Sequence, residues 1–245
     1  MTSRSAPAAR GPARLPRSGS SCRSAEPCTE DLVRRYLTAK RIVIDAGYAA
    51  EIVWQTGTSI SKVTSRTFLR EAAWVILSAG MRESVVRDRF PALTAALHNF
   101  DPAAIARDPD VRVAALGTFR HERKIDAILA IAALAHRLGT RGIRRALVND
   151  SDRLLRHLPY MGPATSRHLA KNLGVPVAKP DRHLVRLADV AGRADPDHLC
   201  AEIARWLGDP IPVVDIVLWR WATLHQGRCT AQSCDGLPHL SPTVR

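Results

Sequence analysis

Apolar residues recur every three to four positions along most of this chain. That spacing places them on one face of an α-helix. His121–Leu138 shows it most plainly: Ile125, Ile128, Leu129, Ala132 and Ala135 share a face, and Gly139 follows as a stop. The same reading predicts helices at 31–41, 45–55, 66–79, 82–97, 102–107, 151–157, 164–173, 182–191, 196–207 and 211–226. Asp101-Pro102, Asp195-Pro196 and Asp209-Pro210 each join a capping carboxylate to a proline suited to a first helical turn. No stretch alternates apolar and polar residues as a half-buried strand does. Ile42–Ile44 is too short and is flanked by helix formers. The expectation is an all-α chain with no internal repeat.

Length and composition narrow this further. The chain's 245 residues suffice for one sizeable domain or two closely joined lobes. Residues 1–28 are rich in Ser, Arg, Pro, Ala and Gly, and are expected to be a disordered basic tail. An organelle transit peptide shares that composition but is the less favoured reading. Residues 229–245 are expected to be a flexible tail, leaving 29–228 as the folded unit. No apolar run reaches the roughly 20 residues that a membrane span needs. No apolar signal-peptide core is found either. Five Cys, with no CxxC pair, argue against a disulfide framework.

Net charge is +13, of which Met1–Glu30 supplies +3. The basic remainder fits a polyanion partner. Only five of the 36 basic residues are Lys, which also fits a plain Arg-rich composition. Charge alone therefore leaves the partner open.

The segment Leu158–Arg186 is more specific. Ser151 and Asp152 are start signals for helix 151–157, and Leu158-Pro159 ends it. Gly162 permits a tight turn and close approach of another chain. Pro163 suits the first turn of the next helix. The free N–H groups of that helix's N-terminus can hold a phosphate. Arg156, Arg167 and His168 can add charge-assisted contacts. An ordinary αα-hairpin in a bundle is the alternative. Asp181 then follows 19 residues after Gly162, at the start of the next helix.

Leu158–Arg186 resembles the helix-hairpin-helix DNA glycosylases of the endonuclease III and alkyladenine glycosylase superfamily. Their hairpin reads Leu-Pro-Gly-Val-Gly with a Thr-Ala soon after. Leu158, Pro159, Gly162 and Thr165 match, while Tyr160 replaces the first Gly and Ser166 the Ala. Pro180-Asp181-Arg182-His183-Leu184-Val185-Arg186 keeps the family's Asp, His and Arg at their spacing. Upstream, Val75-Ile76-Leu77-Ser78-Ala79 is similar to the family's Leu-Leu-Ser-Ala-Gln, with Gly80 in place of the Gln that fills the gap left by a flipped base. Phe100-Asp101-Pro102 and His121-Glu122-Arg123-Lys124-Ile125 resemble the methyladenine glycosylases. Together the matches span about residues 65–190.

The resemblance implies a two-lobed HhH-GPD-like fold, with one lobe at 67–165 and the other made of 31–66 plus 173–226. It implies a monofunctional DNA glycosylase in base excision repair that flips out a modified, for example alkylated, base. The enzyme would hydrolyse the N-glycosidic bond and leave an abasic site. Asp181 would be the catalytic carboxylate, stabilising the cationic sugar and orienting water. Its bland alternative is a plain helix cap. Tyr160, Met161, Gly162, Ala164, Thr165, Arg167 and His183 would touch DNA. Glu71 and Trp74 would line the base pocket, and Met81 or Arg82 would fill the vacated stack. Trp54, like Trp74, could stack on a base; for both, core packing is the favoured reading, and for Glu71 a solvated or structural role is the alternative. For Met81 and Arg82 it is a plain loop. Ala164 stands where strand-cleaving members carry a Schiff-base Lys, so hydrolysis without strand cleavage is expected. Lys171 lies two turns further on, and Lys179 just before Asp181.

No cofactor is required by this reading, although a monovalent cation at the hairpin is implied. The four-Cys iron–sulfur cluster of some relatives is excluded, because only Cys229 and Cys234 lie near its place. His225, Cys229, Cys234 and His239 carry zinc-type ligands, but the spacing is not a finger's and no zinc is expected. Asp215, on an apolar face, is expected to pair with an Arg or serve as a cap. Most of Trp206, Trp219 and Trp221 are expected in the core. The partner is double-stranded DNA, the protein a monomer, and its place the cytoplasm beside the nucleoid. Two alternatives stay open: removal of hypermodified bases from foreign (phage) DNA in defence, and a non-catalytic helix-hairpin-helix DNA-binding protein.

Overall fold

The computed structural model describes residues 27–225. The expected tails at 1–28 (but for its last two residues) and 229–245 lie outside the described residues. So do Cys229, Cys234 and His239 of the zinc-type set. Every regular element among the described residues is helical. No helix among them is long and apolar enough to cross a membrane.

The helices gather around two hydrophobic cores. The first holds α3 (Ser65–Ser78), α4 (Glu83–Ala96), α5 (Pro102–Arg107), α6 (Val111–Thr118), α7 (Glu122–Arg156) and α8 (Pro163–Asn172). Phe68, Leu69, Ile76, Leu77, Leu93, Phe100, Ile125 and Ile128 are fully buried there. This core extends to Leu173 and Val175, past the boundary expected at 165. The second holds α1 (Thr29–Val43), α2 (Ala49–Thr56), α9 (Arg182–Val190), α10 (Pro196–Leu207) and α11 (Ile211–Leu224). Leu32, Tyr36, Leu184, Leu199, Ile203, Val214 and Leu218 fill it. Each buried Leu, Ile or Phe stabilises by about 1.5–3 kcal/mol. A helix of eight residues such as α6 is marginal alone, so packing rather than propensity holds it.

Several local expectations need correction. Helix α6 was not foreseen. Only Val111 and Ala115 of its eight residues are buried, too few to show a period. Gly139 does interrupt α7, at φ 59 and ψ 176, but the chain coils again at once and breaks next at Asp150. Ile143 and Leu147 return the intervening stretch to the core. Asp150, not Ser151 or Asp152, caps the last piece, its Oδ1 accepting the Arg153 N–H at 2.9 Å. The expected helix at 45–55 opens as a wide turn, Ile44–Tyr48, before α2. Asp101 and Asp195 cap their helices as expected. Asp209 does not cap α11. It accepts the Tyr36 hydroxyl at 2.8 Å and the Lys40 ammonium at 2.7 Å, and so ties α1 to the start of α11. Trp221 is buried, but Trp206 is 62% exposed. Trp54 is also exposed, not packed in a core.

The join between the cores is tight at Gly174. This residue has φ +83, and a Cβ there would stand 2.6 Å from Ser59 Cα. Backbone strain and overlap therefore act together. Gly174→Ala is expected to lower unfolding stability by about 2–4 kcal/mol in a urea titration. A loss below about 0.5 kcal/mol would show that the approach to Ser59 is looser than described.

Candidate active site

The hairpin begins where Pro159 stops α7. Leu158, Pro159, Tyr160 and Met161 form a four-residue turn closed by Met161 N–H donating to Leu158 O at 3.2 Å. Pro at the second position and a left-handed third residue are the pattern of a type II turn. That third residue is Tyr160, at φ 67. The chain thus keeps the left-handed conformation that Gly would adopt freely, in spite of the side chain. Gly162 itself is extended (φ −89, ψ −178). A Cβ there would meet only Thr165 Oγ1, at 3.9 Å, so the turn does not depend on glycine at this position.

Thr165 Oγ1 accepts the Gly162 N–H at 2.7 Å, and Pro163 has none. Among the described residues no side chain accepts from the first-turn N–H groups of Ala164 and Thr165, which can therefore meet an acceptor from outside. The charged helpers expected around this point are otherwise engaged. Arg156 pairs with Asp152 at 2.7 Å. Arg167, a predicted DNA contact, pairs with Asp197, and its Nε donates to Ala178 O at 3.0 Å. Burial and the ammonium groups of Lys179 and Lys171 push His168 well below the ordinary imidazole range. It is neutral near pH 7 and adds no charge. Met161 is buried in the first core, so only its backbone can meet a partner.

A second link fixes the hairpin to the end of α3. Lys124 is buried, and its Nζ donates to Leu77 O at 2.9 Å and Ala79 O at 2.7 Å. Those carbonyls end α3, where no intrahelical donor reaches them. The same ammonium lies 5.9 Å from the centre of the Tyr160 ring. His121 meets that ring edge-on at 6.2 Å. Its Nδ1 also accepts the Lys124 N–H and so caps α7. The hairpin turn and the Gly80–Arg82 turn are thereby joined through Lys124. In that turn Met81 is half-buried against the first core and Arg82 is exposed.

Asp181 opens α9. Its Oδ1 accepts the N–H groups of His183 at 2.9 Å and Leu184 at 3.1 Å. Among the described residues Oδ2 has no donor. The side chain is half-exposed. Arg167 holds Ala178, three residues earlier, against α8. His183 is half-buried, and its imidazole is lowered mainly by that burial, against the pull of Asp181.

Glu71 and Trp74 do not converge. Glu71 is buried between α3 and α8, where Asn172 Nδ2 donates to it at 3.1 Å and Arg70 lies 3.3 Å away. Burial raises its carboxyl, and Arg70 and Asn172 partly offset this. Trp74 turns to α4, edge-on to Phe90 at 5.2 Å with Arg87 over its ring. Two surface cavities, of about 260 and 410 Å³, are lined by neither residue, nor by Asp181.

The features that sequence patterns missed are buried ones. Asp215 pairs with Lys171, not with an Arg. Its other oxygen accepts the Lys179 N–H at 2.7 Å. Lys171 is therefore no free amine. The Lys179 side chain is half-buried, and its ammonium makes no hydrogen bond or ion pair among the described residues. Burial lowers its ammonium, and Asp181 and Asp215 pull the other way. No group of three His, Cys, Asp or Glu that could hold a metal is found among the described residues. Compared with protein-family models, curated proteins and solved structures, the chain has no match.

The turn's conformation is open to test. Tyr160→Gly removes left-handed strain of about 1–2 kcal/mol but also loses the ring's packing. Tyr160→Val puts a β-branched residue where it fits worst. The expected order of thermal midpoints is Gly at or above Tyr, with Val lowest. Equal midpoints for Gly and Val would contradict the left-handed turn.

Proposed function

We propose that the chain is a monofunctional DNA glycosylase acting on a modified, for example alkylated, base. One observation carries this reading: Asp181 is fixed by two backbone N–H groups at the head of α9, with no donor to Oδ2 among the described residues, and Arg167 of α8, the hairpin's second helix, ties down the loop that leads to it at Ala178. The order of residues along the chain, hairpin then carboxylate, is that of helix-hairpin-helix glycosylases. The two hydrophobic cores, joined near α8, are compatible with their two-lobed fold.

In this reading a DNA phosphate accepts hydrogen bonds from the Ala164 and Thr165 N–H groups. The target nucleotide leaves the stack and its sugar comes to Asp181. As the bond from C1′ to the base nitrogen breaks, positive charge grows on the sugar. The Asp181 carboxylate stabilises that charge. Water adds to C1′ and gives up a proton, and the base leaves with the bonding electron pair and takes up a proton. The product is an abasic sugar. Ala164 has no amine and Lys171 is held by Asp215, so neither forms the Schiff base that cuts the strand. The carbonyls of Pro159 and Met161 accept no hydrogen bond from a described residue. By the family resemblance they would hold a monovalent cation, which would add positive charge to the phosphate clamp. In this reading Met81 or Arg82, in the turn joined to the hairpin through Lys124, would fill the vacated stack.

A second reading is a DNA-binding module without chemistry. The observation in its favour is that Asp181 lines neither surface cavity. One experiment separates the two. The protein is incubated with duplexes carrying a panel of modified bases, then treated with alkali to reveal abasic sites. At least one base is expected to be excised. Asp181→Asn is expected to lower that excision at least about 100-fold while duplex affinity persists. Excision undiminished in Asp181→Asn would overturn the mechanism. Binding without excision of any base would favour the second reading. Strand cleavage without alkali would overturn the monofunctional claim and point to Lys179.

A further inference from the structure

Asp215 stands on α11, only 1% exposed, among Val213, Val214, Val217 and Leu218 of the second core. A carboxylate there costs several kcal/mol to desolvate, so it persists only with partners on both oxygens. It has them. Oδ1 pairs with the buried Lys171 ammonium on α8. Oδ2 accepts the Lys179 N–H at 2.7 Å. The Lys179 carbonyl in turn accepts the Asp181 N–H at 2.8 Å. Asp181 Oδ1 then takes the first N–H groups of α9. A run of backbone and carboxylate hydrogen bonds therefore leads from the buried Asp215 to the half-exposed Asp181.

We propose that Asp215 is the positioning residue for Asp181: it sets where the loop 173–181 stands against α8, and so where the Asp181 carboxylate stands against the hairpin. This rests on the glycosylase reading and extends it to a residue that cannot reach DNA. The two oxygens of Asp215 have separate tasks. Oδ1 neutralises Lys171, a matter of folding. Oδ2 holds the Lys179 N–H, a matter of geometry at Asp181. Displacing a catalytic group by about 1 Å costs on the order of 100-fold in rate.

The two tasks can be separated by removing the charge pair in two ways. Lys171→Met with Asp215→Asn discards both charges but keeps an oxygen that can accept from the Lys179 N–H. Lys171→Met with Asp215→Leu discards the charges and the acceptor. Neither leaves an unpaired buried charge, so both are expected to fold with thermal midpoints near the parent's. Amide hydrogen exchange is read at Lys179 and Asp181, beside kcat and KM for the excised base. The Asn pair is expected to retain protection at both amides and a kcat within about threefold of the parent. The Leu pair is expected to lose that protection and about 100-fold in kcat, with KM unchanged. Protection and kcat both retained in the Leu pair would overturn the proposal. So would a Leu pair that unfolds while the Asn pair folds, since the bond would then serve folding alone. If the parent excises no base, the glycosylase reading fails, and the exchange data still decide whether Asp215 holds the loop.

Discussion

The structure depends on what meets the last turn of α8. Lys171 and Asn172 are buried there, and elements of both cores attach to them. Gln55 of α2 donates to the Lys171 carbonyl at 3.1 Å. Glu71 of α3 accepts from Asn172. Asp215 of α11 pairs with the Lys171 ammonium. Apolar contacts alone would let two cores slide or rotate against each other at little cost, because they are not directional. Buried polar groups must meet their partners at set distances and angles. A buried ion pair adds little net stability over an apolar one of the same size. Its effect here is geometric: it fixes one core on the other, and fixes the loop that leads to Asp181.

The hairpin obeys the same logic on a smaller scale. Its turn needs a left-handed third residue, and the chain supplies Tyr160 where Gly would be easier. The ring is not idle, since Lys124 lies over it and His121 against it. Lys124 is meanwhile committed to the carbonyls that end α3. Three segments distant in sequence are thus held in one relation: the turn before α8, the start of α7 and the turn after α3. A strained residue persists where its surroundings over-determine it, and such places are often functional.

The all-helical class and most helix positions were legible in the sequence, because long amphipathic runs such as His121–Leu138 repeat their period several times. The hairpin and the cap at Asp181 were legible because Pro and Asp act locally on the backbone, although the turn falls on Tyr160 and not on Gly162. Short or Arg-rich helices were not. α6 and the stretch around Ile143 and Leu147 bury too few residues to display a period. Side-chain partners across the fold were not legible either. Arg167 looked like a phosphate contact, since nothing nearby in sequence shows that Asp197 will reach it. Asp215 looked like an anomaly on an apolar face until Lys171, on a separate helix, supplied its partner. Local chemistry sets elements and caps, while pairings between remote residues depend on how the cores dock.

The proposed glycosylase function requires the hairpin and the head of α9 to form one DNA-binding face. The most direct measurement is an amide NMR titration of the protein with a duplex that carries a stable abasic-site analogue. The largest shifts are expected at Ala164 and Thr165, at Asp181 to His183, and at Gly80 to Arg82, saturating together at one duplex per protein. Shifts that leave these amides unmoved, or that gather on α10 and the outer face of α2, would contradict it.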